Sequence, residues 1–201
     1  MDISKLADQL AFLMEADRLK NLYRQTYTST DDLPPMPEGS NDAEHSFSLA
    51  LFTAVLAEYS NEPIDVLKTI KTVLIHDIVE IDAGDTYCYD SAGNSTKAER
   101  EKAAADRLFA LLPPNQEKEF RGLWEDFEAG ETPEAKFAAA MDKIQPLLLN
   151  LHRNGLSWKE HGIRFGQVEK RAAGISGGSE VLYGHIYEKL LEARDRGILP
   201  D

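Results

Sequence analysis

The chain has 201 residues and carries 35 acidic against 22 basic side chains, a formal net charge of −13. That balance argues against a nucleic-acid polymer as partner, because such binding draws on Lys and Arg neutralising phosphates; a small phosphorylated ligand needs only a few local cations. The length predicts a single domain over residues 1–201 with a real core from its 42% hydrophobic content, and one cysteine, Cys88, excludes an intramolecular disulfide and suits a reducing compartment.

Residues 3–23 place Leu6, Leu10, Leu13, Met14 and Leu22 at helical spacing and predict a first amphipathic helix. The same region is acidic and lacks a basic start with an apolar run, so it does not read as a signal peptide. No apolar stretch approaches the roughly 18–20 residues of a spanning helix, so no membrane is expected as partner and the expected location is cytoplasmic. Residues 28–41, TSTDDLPPMPEGSN, are dense in Pro, Gly, Ser and Asp and predict a loop. Asn41 or Asp42 then caps a helix through Glu44 and His45 that ends near Tyr59. Residues 64–85 read as one helix with Pro63 at its start and Gly84 at its end. A polar loop over 86–96 leads to a helix over 97–112, stopped by Pro113 and Pro114, and another over 115–128, broken by Gly130. Thr132 and Pro133 open a helix over 134–151 in which Pro146 predicts a kink or a break. Helices over 164–173 and 180–196, separated by the glycine loop 174–178, complete the chain. No strand-like alternation and no repeat appears. The class is all-α.

The helix over 64–85 is apolar for two turns and then carries His76, Asp77 and Glu80 where the apolar pattern should continue. Unpaired buried charge costs several kcal/mol, so something must compensate these groups. In a regular helix His76 and Glu80 share a face at i, i+4, with Asp77 about 100° round. Two other apolar helices bring His45 and Asp142. Together these are two imidazoles and two carboxylates, a nitrogen and oxygen set suited to one divalent first-row metal such as Mn, Co, Fe, Ni or Zn. A cation of that kind lowers the pKa of bound water toward neutrality. The competing readings make His45 a hydrogen-bonding residue at a helix start, Asp142 the ion-pair partner of Lys143, and Glu80 the partner of a lysine.

Glu44-His45-Ser46, His76-Asp77 and Asp142-Lys143, in this order on helices, resemble the HD-domain metal-dependent phosphohydrolases. The stretches NDAEHSFSLAL and VLIHDIVEIDAGD resemble the branch that contains the 5'-deoxynucleotidases acting on deoxynucleoside monophosphates. The resemblance covers about residues 19–155 and implies an HD-domain helical bundle, with residues 156–201 as an added C-terminal helical extension. It implies His45, His76, Asp77 and Asp142 as ligands of one metal, Glu80 as general acid/base next to the metal-bound water, and Asp85 at the sugar hydroxyl. Arg24 occupies the place of the family's phosphate-binding arginine, a task suited to its bidentate fork, and Lys143 is a second candidate cation. Gln25 stands where an aromatic residue helps select the nucleotide, and the 28–41 loop is longer than in the best-matching members. Dinuclear phosphodiesterases and oxygenases on this scaffold insert further histidines before the last aspartate; residues 78–141 hold none, which favours one metal. The implied substrate is a (deoxy)nucleoside 5'-monophosphate and the implied assembly a homodimer. The alternatives are a metal-dependent oxygenase and a module that binds metal or nucleotide without turnover. His152, His161 and His185 read as structural or surface residues, Trp158 as a packing anchor, and Tyr87, Cys88 and Tyr89 as a loop over the pocket.

Overall fold

The computed structural model describes residues 3–28, 40–90 and 95–201. Most of the predicted 28–41 loop, residues 29–39, and residues 91–94 of the 86–96 loop lie outside them. Among the described residues the chain is helical, and the only β feature is an isolated antiparallel bridge between Tyr23 and Asn41.

The first helix, α1 (Ile3–Ala16), passes into a 3-10 turn, Asp17–Asn21. Only Phe12 and Leu19 of this region are buried, while Leu6, Leu10, Leu13 and Met14 stay 47–70% exposed. The apolar face read from the sequence is therefore real but uncovered in one chain. Helix α2 (Asp42–Leu56) begins with a reciprocal capping box: the Asn41 side chain accepts from the Glu44 N–H at 2.9 Å, and the Glu44 carboxylate accepts from the Asn41 N–H. A 3-10 turn, Ala57–Tyr59, ends it.

The predicted single helix over 64–85 is not continuous. Helix α3 (Val66–Ile75) starts two residues later than expected, because Asp65, not Pro63, caps it by accepting from Lys68 N–H. After Ile75 the chain winds through 76–79 on i→i+3 bonds, Ile78 N–H to Ile75 C=O and Glu80 N–H to Asp77 C=O, before a single turn, α4 (Glu80–Ala83). Gly84 closes that turn at φ 79°, a conformation glycine adopts without a Cβ penalty, and its N–H donates to the Glu80 carbonyl.

Helix α5 (Lys97–Leu108) tightens into a 3-10 turn before Pro113, and α6 (Pro114–Ala129) ends at left-handed Gly130. Helix α7 (Pro133–His152), capped by Thr132, runs unbroken through Pro146, so of the predicted kink or break the break does not occur. The proline removes the N–H that would serve the Asp142 carbonyl and crowds that carbonyl with its ring, but burial of Met141, Ile144, Gln145 and Leu147 on both sides of it holds the rod together. A short helix, α8 (Leu156–Glu160), was not anticipated; the stretch around His161 reads as loop because five residues are too few for a period. Helices α9 (Phe165–Ala173) and α10 (Glu180–Asp195) complete the fold.

Helices α2, α3 and α7 pack on one another. Leu49, Val73, Phe137, Met141 and Ile144 form one core, which continues through Trp158, Val168, Ile175 and Leu190 beneath the C-terminal helices. A second core of Phe12, Ile75, Ile78, Val79, Leu108, Phe109 and Trp124 lies under α1, α5 and α6. The chain crosses from one core to the other at 73–79, and the polar residues of the site sit at that crossing.

Candidate metal centre

Three segments build the centre. The α2 capping box fixes the helix start so that Asp42 and, one turn on, His45 point inward; they are 0% and 1% exposed. Backbone bonds from Arg24 N–H to Ser40 C=O and from Asp42 N–H to Leu22 C=O clamp the Arg24 segment against that start. The tight winding after α3 has about three residues per turn, which puts residues i and i+3 on one face. Asp77 and Glu80 therefore face the same way, where the regular helix predicted His76 and Glu80. Helix α7 supplies Asp142 and, one turn further, Gln145.

The ligand atoms of His45, His76 and Asp142 lie within 4.8 Å of one another, and so do carboxylate oxygens of Asp42, Asp77 and Glu80. Asp77 joins the two groups: its Oδ1 is 3.0 Å from His76 Nε2 and its Oδ2 is 3.9 Å from His45 Nε2. Both imidazoles are held from behind. His76 Nδ1 donates to the Val73 carbonyl at 2.9 Å, and His45 Nδ1 lies 3.0 Å from Gln145 Oε1, an acceptor. A neutral imidazole has one N–H. With each Nδ1–H spent on these partners, both Nε2 atoms present lone pairs to the centre. His45 Nε2 then faces Asp142 Oδ1 at 3.2 Å, acceptor against acceptor, and His76 Nε2 is buried with no hydrogen-bond partner. Such an arrangement is repulsive unless a positive ion stands between the facing atoms. A divalent metal fits this donor set, with backing hydrogen bonds of the kind that orient metal-bound histidines.

Arg24 is the charge-bearing neighbour. One of its guanidinium nitrogens donates to Asp42 Oδ1 at 2.9 Å and to Asp77 Oδ2 at 2.8 Å. Burial opposes its charge, but Asp77 and Asp42 hold its pKa above the ordinary value. Burial, together with Asp77, Asp42 and Asp85, pushes Glu80 up to about 11, and its Oε2 has no partner. Burial and Asp77 likewise raise Asp42 to about 7 against the pull of Arg24. Burial also disfavours charge on Asp77 and Asp142. The Arg24 guanidinium opposes this at Asp77 and Arg171 does so at Asp142, and both carboxyls stay below the ordinary range. Burial and Arg24 lower His45, which keeps it neutral.

A cavity of about 180 Å³ opens above these groups, lined by Arg24, Gln25, His76, Asp77, Glu80, Asp85 and Asp142 among others. Nearly every residue selected from sequence thus borders one space. Two do not: His45 is buried behind the cavity wall, 1% exposed, and Lys143 donates from Nζ to the Ala139 carbonyl at 3.0 Å and lines an adjoining cavity instead. The ion pairs read as alternatives do not form either, since Asp142 contacts His45 and Lys97 pairs with Glu101. Gln25 takes part in a surface pair with His161, whose ring meets that of Tyr87 at a tilt, centroids 4.9 Å apart. Asp42, Gln145, Lys97 and Arg171 were missed. Gln145 carried a usable signal, a polar residue one turn from Asp142 on a buried helix; Arg171, 29 positions beyond Asp142, carried none.

The family model for the HD domain matches residues 16–181. The chain belongs to the HD domain family. The 5'-deoxynucleotidase HDDC2 of Xenopus laevis is 34% identical over 56% of this chain and 53% of its own length. The protein of the same name from Bos taurus is 29% identical over 69% of this chain and 64% of its own. The chain therefore spans about half to two thirds of the length of these curated relatives. A crystal structure from Magnetospirillum magnetotacticum, described as a predicted metal-dependent phosphohydrolase, superposes with a TM-score of 0.91 at 43% identity, covering 98% of this chain and 97% of that one.

Proposed function

We propose that this protein is a metal-dependent phosphohydrolase that cleaves (deoxy)nucleoside 5'-monophosphates to nucleoside and phosphate. The observation that carries the reading is the pair of backed imidazoles whose free Nε2 atoms face carboxylates beside a buried acid that holds its proton. His45, His76, Asp77 and Asp142 would hold one divalent transition metal ion. When bound, that ion would polarise a phosphate oxygen, lower the pKa of water and pull Glu80 down toward the working pH. Arg24 brings fixed positive charge to the same space and takes a phosphate oxygen there. Glu80 gives its proton to the leaving ester oxygen as the P–O bond breaks, and a proton from the attacking water restores it. Asp85 at the cavity rim accepts from a sugar hydroxyl, and Gln25, steadied by His161, bears on the choice of base.

The names of the HDDC2 relatives support the nucleotide substrate, and the conserved length of the Magnetospirillum relative supports reading residues 1–201 as one working domain. No described helix is long and apolar enough to cross a membrane, and a cytoplasmic place is part of the proposal. So is a homodimer: the uncovered faces of α1 and of α2, where Phe47, Leu51 and Val55 stand 55–68% exposed at i, i+4, i+8, are suited to a second copy. Phosphate release from nucleoside monophosphates with and without added metal tests the activity.

A further inference from the structure

A second cavity, of about 420 Å³, adjoins the metal pocket and shares Arg171 and Cys88 with it. Lys143, Lys170 and Arg171 line it, and none of its lining residues is a carboxylate. In a chain with 35 acidic residues against 22 basic ones, an ordinary solvated wall would interleave acids among these cations. The dipole at the C-terminal end of α9 favours Lys170 and Arg171 there. It does not account for Lys143, which comes from α7 to meet them. Gly174 makes that meeting possible: a Cβ at this position would stand 3.0 Å from Lys143 Cε and 3.3 Å from its Cδ, so the glycine leaves the channel along which the lysine stem runs. Arg171 stands 3.7 Å from Asp142 Oδ2, beyond hydrogen-bond distance, and faces both spaces. Arg171 opposes the charge on Lys143 and Asp142 supports it; an anion in the outer cavity adds to that support for all three cations that line it.

We infer that this outer cavity is an anion subsite, which takes a second negatively charged group, phosphate or carboxylate, of the same substrate whose phosphomonoester reacts at the metal centre. The inference rests on the phosphohydrolase reading and adds a substrate class to it: molecules with two anionic groups a short distance apart.

The test uses the Mn²⁺-loaded full chain and two matched pairs, followed by chromatography of the 5'-dephosphorylated product. One pair is adenosine 5'-monophosphate and its 3',5'-bisphosphate, which keeps a free 2'-hydroxyl; the other is uridine 5'-monophosphate and its 6-carboxylate, orotidine 5'-monophosphate. In at least one pair the doubly anionic member should have the higher kcat/KM by about tenfold, the factor that one charge-assisted hydrogen bond confers. Lys170→Gln and Lys143→Gln should each bring that ratio down toward one, and the pair that responds tells phosphate from carboxylate. Turnover of the plain monophosphates with both ratios near one overturns the subsite and leaves the phosphohydrolase reading standing. A high ratio that survives both substitutions overturns it too, since the second group is then read elsewhere. No turnover of any of the four refutes the phosphohydrolase reading and the subsite with it.

Discussion

Gln145 is the residue on which the orientation of His45 depends, and replacing it with methionine isolates that dependence. Methionine is close to glutamine in volume and unbranched, so it fills the same buried space; Gln145 is 7% exposed. What it removes is the acceptor 3.0 Å from His45 Nδ1. The ring then has two ways to place its single N–H: leave it buried and unpaired, which costs about 1–3 kcal/mol, or move it to Nε2, where it can donate to Asp142 Oδ1 at 3.2 Å. The second choice quiets the repulsion at the centre and takes the lone pair away from a metal. Loss of such backing partners costs about 10–100-fold in metal affinity. Gln145→Met should therefore weaken Mn²⁺ or Co²⁺ binding by that factor in calorimetric titration, while Gln145→Glu, which restores an acceptor, retains tight binding. Circular dichroism would show both variants folded. Unchanged affinity in Gln145→Met would refute the claim that the His45 tautomer is set from behind.

Other consequences follow from the charges. Folded Glu80 keeps its proton up to about pH 11, whereas its ordinary pKa is 4.5. The unfolded carboxyl loses its proton first, so the stability present below pH 4.5 declines as pH rises toward 11, by about 3 kcal/mol between pH 4.5 and 7. In chelator-treated protein Glu80→Gln should flatten that slope in urea titrations at several pH values; an unchanged slope would show Glu80 ionised. With metal retained, the same substitution should lower kcat by about 10²-fold or more. Saturating a site at a hundred times its Kd adds about 2.7 kcal/mol, so chelation should lower Tm by about 5–10 °C in a chain of this size, read by calorimetry. Arg24→Gln strips the cation from two buried carboxylates and should cost about 3–5 kcal/mol in metal-free protein by denaturant unfolding.

The helical class was legible because 3.6-residue periodicity and cap chemistry agree along most of the chain. Thr132 caps its helix as the sequence suggests, accepting from the N–H three residues on, and Ser179 does the same for α10. The interruption after Ile75 was not legible. Nothing in HDIVE disfavours a regular helix, and its i→i+3 winding comes from tertiary demands, two cores meeting where Asp77 and Glu80 must turn to one side. The break allowed for at Pro146 does not occur, since burial of the residues on both sides of it holds the helix together. Of the centre, the acids and imidazoles stood out because they interrupt apolar segments. Asp42 hid in plain sight as a capping-type residue at a helix start, and Arg171 enters through a fold-back from α9 that no local pattern announces.

The most direct measurement is phosphate release from a panel of ribo- and deoxyribonucleoside 5'-monophosphates with Mn²⁺, Co²⁺ or Mg²⁺ and with chelator, in parallel for the native chain and Asp77→Ala. Asp77 touches both imidazoles and Arg24. The proposed chemistry predicts release that requires metal and disappears in the variant. Failure to release phosphate from any member of the panel, by protein shown to hold a metal ion, would contradict it.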